Sequence, residues 1–129
     1  VEETPIYFEE DWQIGIGGGL WSTGKAMALY FIDHPKLIRS NIQSIRCRDV
    51  NKGLQALELG SGNGLLSVCL AAVIKDTIGK LVVTDLDDHL ELMEKTVRSN
   101  GHIMSFDSGN VDDSKPRSEV KEHRWGERI

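Results

Sequence analysis

The stretch "ALELGSGNGLL", Ala56 to Leu66, joins an apolar run with one carboxylate to glycines at 60, 62 and 64. "LQALEL" just before the glycines has the length and apolar character of a strand, with Glu58 near its end. "LLSVCLAAVI" after them is apolar on nearly every side, as a helix buried against a sheet must be. Glycine accepts positive φ and removes each Cβ that would keep a ligand off the backbone. The helix behind the turn aims its free N–H groups and its positive dipole end into the same space. Such a turn suits a nucleoside-bearing anion or zwitterion. A tight strand-to-helix turn with no ligand is the other reading of the glycines taken alone.

The spacing separates the nucleotide types. A dinucleotide turn of the form G-x-G-x-x-G would need glycine at 65, where this chain has Leu65. A phosphate-binding P-loop would follow its last glycine with Lys and Ser or Thr, where this chain has Leu65 and Leu66. "DTIG" then makes a turn, and "KLVVTD" reads as a second buried strand ending at Asp85. Ligands of open α/β sheets sit beyond the carboxyl ends of the strands, so Asp85 would reach the crevice of the glycine turn. A carboxylate there accepts both hydroxyls of a ribose, each charge-assisted bond contributing roughly 1.5–3 kcal/mol.

The rest of the pattern extends the unit. Asp88 and Glu91 form an Asp-x-x-Glu version of the capping box before the helix "HLELMEKTVRSN", which stops at Asn100–Gly101. Strand, turn, helix, strand and helix in this order make a βαβα unit, with parallel pairing and a right-handed crossover. Gly101 to Arg117 is polar and reads as a loop, and "SEVKEHRW" reads as a third strand. Toward the other end, "IYFEEDWQIGIGGG", Ile6 to Gly19, alternates and predicts a strand or hairpin feeding a glycine loop. Ser22 is placed to cap a helix over Thr23 to Asp33, closed by Pro35. "KLIRSNIQSIRCRDVNKG" predicts an amphipathic helix and a polar turn at Asn51–Gly53. The expected organisation is one domain: 1–22 as N-terminal strand and loop, 23–53 as a helical lead-in, and 54–129 as the ligand-binding half.

Composition narrows the class. With 129 residues there is length for one domain and a modest core. A net charge of -5 repels polyanions, so no nucleic-acid partner is expected. No apolar segment approaches the ~20 residues that cross a bilayer, so no membrane partner is expected. Cys47 and Cys69 have neither metal-type spacing nor a disulfide pattern, which points to a reducing cytoplasmic or nuclear setting. His34, His102 and His123 lack partners at metal-binding spacing, so no metal site is expected, and His89 reads as a helix-surface residue.

"LELGSGNGLLSV", "VVTDLDDHLELMEKTVRSN" and "RWG" at Arg124–Gly126 together resemble the cofactor-binding half of the class I, seven-β-strand S-adenosylmethionine-dependent methyltransferases. Within them, "GGGLWSTGKAMALYF" around Trp21 and the Trp125–Gly126 pair resemble the eukaryotic protein-lysine methyltransferases of non-histone targets such as translation elongation factors and chaperones. The resemblance implies a Rossmann-like, doubly wound, mostly parallel α/β sheet, with S-adenosyl-L-methionine as cofactor and a protein substrate. It implies that Gly60, Ser61 and Gly62 line the methionine and ribose part, that Asp85 holds the ribose hydroxyls, and that Trp125 borders the adenine. Trp21 would close the pocket from the N-terminal side or serve as core. Glu58 would contact the cofactor's amino group, directly or through water, or cap the glycine turn. The family's acidic–aromatic substrate-side segment lies downstream of the Trp-Gly pair, so no catalytic residue carries over. The expectation is a sheet cut short after its third strand, with little or no methyl transfer by these residues alone. A small-molecule methyltransferase and a non-catalytic binding module on the same half-fold are the alternative readings.

Overall fold

A computed structural model describes residues 4–11, 13, 19, 22–45, 54–74, 77–106 and 115–128. Two helices lead in: α1, Ser22–Asp33, and α2, Pro35–Gln43, with His34 between them. Pro35 starts α2 because a first-turn residue needs no N–H partner and proline presets its φ. α1 begins at Ser22, one residue earlier than the sequence suggests. The polar turn expected at Asn51–Gly53 lies outside the described residues.

The sheet-forming part follows as β1 (Leu54–Glu58), α3 (Leu65–Ile74), β2 (Ile78–Asp85), a short 3₁₀ turn (Asp87–His89), α4 (Leu90–Ser99), β3 (Ser105–Phe106) and β4 (Arg117–Glu122). The four strands form one parallel sheet in the order β1-β2-β4-β3, the Rossmann-like arrangement expected. From β1 to β2 to β4 the chain steps in one direction, so crossovers of one hand place α3 and α4 on the same face. The two helices touch each other, and α1 and α2 pack on α3.

The main core lies between the helices and this face. Val68, Ala71, Ile74, Leu81, Val97 and Met104 are almost fully buried there, with Leu54, Ala56 and Val120 packed beside them. α3 is buried on both sides, which is why its sequence shows no polar face. Arg39 of α2 donates its Nε–H to the carbonyl of Val73 at 2.7 Å, satisfying one of the orphan acceptors at the end of α3. On the opposite face of the sheet Leu57 is 43% exposed, and Lys80 pairs with Glu119 at 2.9 Å.

Three local expectations change. Residues 4–11 form no regular strand, and the glycine loop expected up to Gly19 lies, apart from residues 13 and 19, outside the described residues. Residues 4–11 run as an extended strap held by Asn100, whose side-chain oxygen accepts from the Tyr7 N–H at 2.9 Å and whose amide donates to the Tyr7 carbonyl at 2.7 Å. A buried amide here replaces the neighbouring strand that the alternating pattern anticipates. The polar stretch Gly101 to Arg117 is not all loop, because Ser105–Phe106 pairs with Arg117–Ser118 as β3. Ser118 Oγ donates to the Ser105 carbonyl at 2.7 Å, and the Arg98 guanidinium lies 4.2 Å from the centre of the Phe106 ring. β4 is therefore the fourth strand in sequence and the third across the sheet, and it ends at Glu122 rather than Trp125.

The capping box at Asp88 and Glu91 is also absent. His89 stands at the N-cap of α4, with no side-chain cap hydrogen bond. Asp88 is already inside the 3₁₀ turn, and its carboxylate faces the His89 ring instead.

Candidate functional site

Parallel pairing puts the carboxyl ends of β1, β2 and β4 on one edge of the sheet, and the glycine turn rises over that edge. Gly60, Gly62 and Gly64 adopt φ of 68°, 58° and 81°. No non-glycine described residue has positive φ, so the alternate-glycine spacing is a record of this backbone. The turn is tied to β2 at two points. The Ser61 N–H donates to the Thr84 carbonyl at 2.9 Å, and the Gly62 N–H donates to Asp85 Oδ2 at 2.7 Å. Asp85 Oδ1 accepts from the Leu86 N–H at 2.7 Å. Each oxygen of this carboxylate thus receives one backbone N–H and keeps a further lone pair for a ligand.

Glu58 and Asp85 stand at the ends of adjacent strands. The Glu58 carboxylate accepts from the Ser67 hydroxyl in the first turn of α3. Burial pushes its pKa above the usual carboxylate value; bonds from Ser67 and Ser61 partly offset this, and the charge of Asp85 adds to the rise. Cys69, two residues after Ser67 in α3, is buried and its thiol is pushed up to about 11 by burial and by Glu58, so it is inert.

Two clefts meet at Gly60. One, of about 340 Å³, is walled by Thr23, Gly24 and Met27 of α1 on one side and by Glu58, Gly60 and Ser61 on the other. The second, of about 350 Å³, is lined by Gly60, Asp85, Leu86, His123 and Trp125. Trp125 is 81% exposed, and a Cβ added at Gly60 would lie 3.8 Å from its Cζ2. The ring therefore stands over Gly60 at the junction of the clefts. Of the residues proposed from the sequence, Glu58, Gly60, Ser61, Gly62, Asp85 and Trp125 come together at this edge, whereas Trp21 lies outside the described residues.

Four other residues complete the site. Asn63 is buried; its Oδ1 caps α3 through the Leu65 N–H at 3.2 Å, and its amide donates to the Glu9 carbonyl of the strap at 3.3 Å. Asparagine two residues before a helix is a recognisable cap signal. Ser67 is a lone hydroxyl in an apolar helix, which is a weaker signal. Thr84 bonds the Glu58 carbonyl at 2.7 Å and reads in sequence as an ordinary strand residue. His89 corrects the surface reading: it is 6% exposed, with Nδ1 2.7 Å from Asp88 Oδ1 and 3.6 Å from Asp85 Oδ1. It turns inward because the 3₁₀ turn rotates position 89 away from solvent before α4 begins.

The crevice beyond the strand ends, a glycine turn on a helix N-terminus and a carboxylate on the neighbouring strand define a Rossmann-like α/β protein, whose ligands as a class bind at this edge. Comparison with known proteins makes this specific: the chain belongs to the lysine methyltransferase family, whose model matches residues 1–129. A Saccharomyces cerevisiae protein, the protein-lysine N-methyltransferase EFM6, is 28% identical over 95 residues, covering 69% of this chain. The chain spans about a third of the length of that relative, 36%.

Proposed function

We propose that this chain is the S-adenosylmethionine-binding part of a protein-lysine methyltransferase, acting on a protein such as a translation elongation factor. The observation that carries the reading is the meeting of two clefts at Gly60, one holding Glu58 and the other Asp85 and Trp125. A molecule with a charged amino-acid arm, a ribose and a flat base needs such a bent site. The open lone pairs of Asp85 suit ribose hydroxyls, and Trp125 offers a face for the base, which stacking would hold by about 1–3 kcal/mol. Glu58 lines the other cleft and suits the ammonium of the amino-acid arm, while α1 closes its far wall.

S-adenosylmethionine, when bound, supplies an electrophilic methyl group on a sulfonium leaving group. What these residues do is bind and orient. Gly60 and Gly62 let the backbone approach, Asp85 fixes the ribose, and the cleft walls orient the ligand at the junction. No residue of this chain is assigned to the target lysine. The same reading carries a cytoplasmic or nuclear setting, supported by Cys69 being a buried free thiol.

Calorimetric titration with S-adenosylhomocysteine tests the cofactor, with NAD as control and Asp85→Ala as paired variant. Binding of the first ligand alone, lost in the variant, is the expected result. Binding of NAD instead, or equal affinity in the variant, would overturn it.

A further inference from the structure

His89 is a buried imidazole that the proposed binding scheme leaves unused. Its Nδ1 faces two carboxylates, Asp88 at 2.7 Å and Asp85 at 3.6 Å, and neither contact is aligned as a hydrogen bond. Its Nε2 is buried and has no hydrogen-bond partner among the described residues. A ring nitrogen kept from water and given no bond is costly, and such groups persist where the surroundings hold them for a purpose. The purpose is legible in what the ring touches. Asp85 lies four residues earlier at the end of β2, its side chain 14% exposed, with one oxygen on the Gly62 N–H and the other on the Leu86 N–H. The imidazole Nδ1 lies 3.6 Å from Oδ1, the oxygen that accepts from Leu86 and not from Gly62, and the ring is buried where Asp85 lines the cleft.

We infer that His89 is a positioning residue: it blocks rotation of the Asp85 carboxylate, so that the lone pairs left over by the backbone face the cleft. The inference rests on the reading that Asp85 holds a ribose. A carboxylate free to rotate would meet the two hydroxyls in several orientations and lose entropy on binding; one held in place is preorganised. The exposed Asp88 carboxylate approaches the same Nδ1 at 2.7 Å, so the ring edge facing Asp85 lies between two carboxylates.

The test is a binding cycle in the full chain. S-adenosylhomocysteine and its 2′-deoxy analogue are titrated calorimetrically into the wild type, His89→Leu and His89→Asn. Asparagine keeps a nitrogen or oxygen near the Nδ1 position, whereas leucine fills the space without one. Positioning predicts that His89→Leu weakens the complete ligand about tenfold, and the deoxy analogue by less than about threefold, as expected for coupled neighbours. His89→Asn restores most of the difference. Equal losses for the two ligands in His89→Leu would mean a structural role only and would overturn the inference. So would unchanged affinity for both. Failure of the wild type to bind S-adenosylhomocysteine would instead sink the cofactor reading itself, and the inference with it.

Discussion

At the scale of single residues, the proposed chemistry rests on the glycine turn and on Glu58 and Asp85 at the ends of adjacent strands. Gly62 holds φ of 58° while giving its N–H to Asp85. Gly62→Ala should therefore destabilise the chain by about 1–2 kcal/mol, the penalty for an L-residue in the left-handed region, measurable as a lowered urea midpoint. Glu58 behaves differently. Burial raises its pKa above 4.5, so the native state keeps a proton at pH values where the unfolded chain has released it. The folded state then binds more protons, and this contribution to stability is complete below pH 4.5 and lost as pH rises through the raised value. Glu58→Gln should flatten that part of the profile when melting temperature is followed from pH 4 to 8. A slope identical to wild type would show that the carboxyl is not the group responsible.

Among the elements, the strap is joined to α4 at Tyr7 by one side chain. Asn100 is fully buried, donates to the Thr96 carbonyl at 2.6 Å and clamps Tyr7 in both directions. Asn100→Ala leaves two backbone groups of Tyr7 without their partner and should cost about 1–3 kcal/mol. Its signature is local: the Tyr7 amide should lose hydrogen-exchange protection, while amides in β2 keep theirs at low denaturant. α3 answers to packing instead. Ile74 is fully buried between the sheet and α2, and Ile74→Ala should cost about 2–5 kcal/mol in chemical denaturation without a change in local exchange pattern. Apolar runs and a strong period are both legible from sequence, α3 and β2 illustrating the first and α4 the second. β3 is not, because two residues carry no period; it forms through the buried Ser118 hydroxyl and through Arg98 over Phe106.

For the whole molecule, the parallel sheet decides where a ligand can act. All described strand ends that carry Glu58, Asp85 and Glu122 point to one edge, so ligand binding there should stabilise the fold as a unit. Saturating S-adenosylhomocysteine, at about a hundred times its dissociation constant, should add about 2.7 kcal/mol and raise the melting temperature, while NAD should not. An unchanged melting temperature with measured binding would mean that the unfolded chain binds equally.

By itself the sequence determined the local chemistry: which turn needs positive φ, which runs are apolar, and which carboxylates end strands. Glycine spacing and hydrophobic period are properties of neighbouring residues, so they survive in one dimension. The tertiary structure alone decided the rest. It buried His89 beside Asp85, used Asn100 to hold residues 93 positions away, and brought Trp125 over Gly60. Those placements follow from the packing of α3 and α4 on a parallel sheet, and no short-range pattern encodes a contact that only this packing creates.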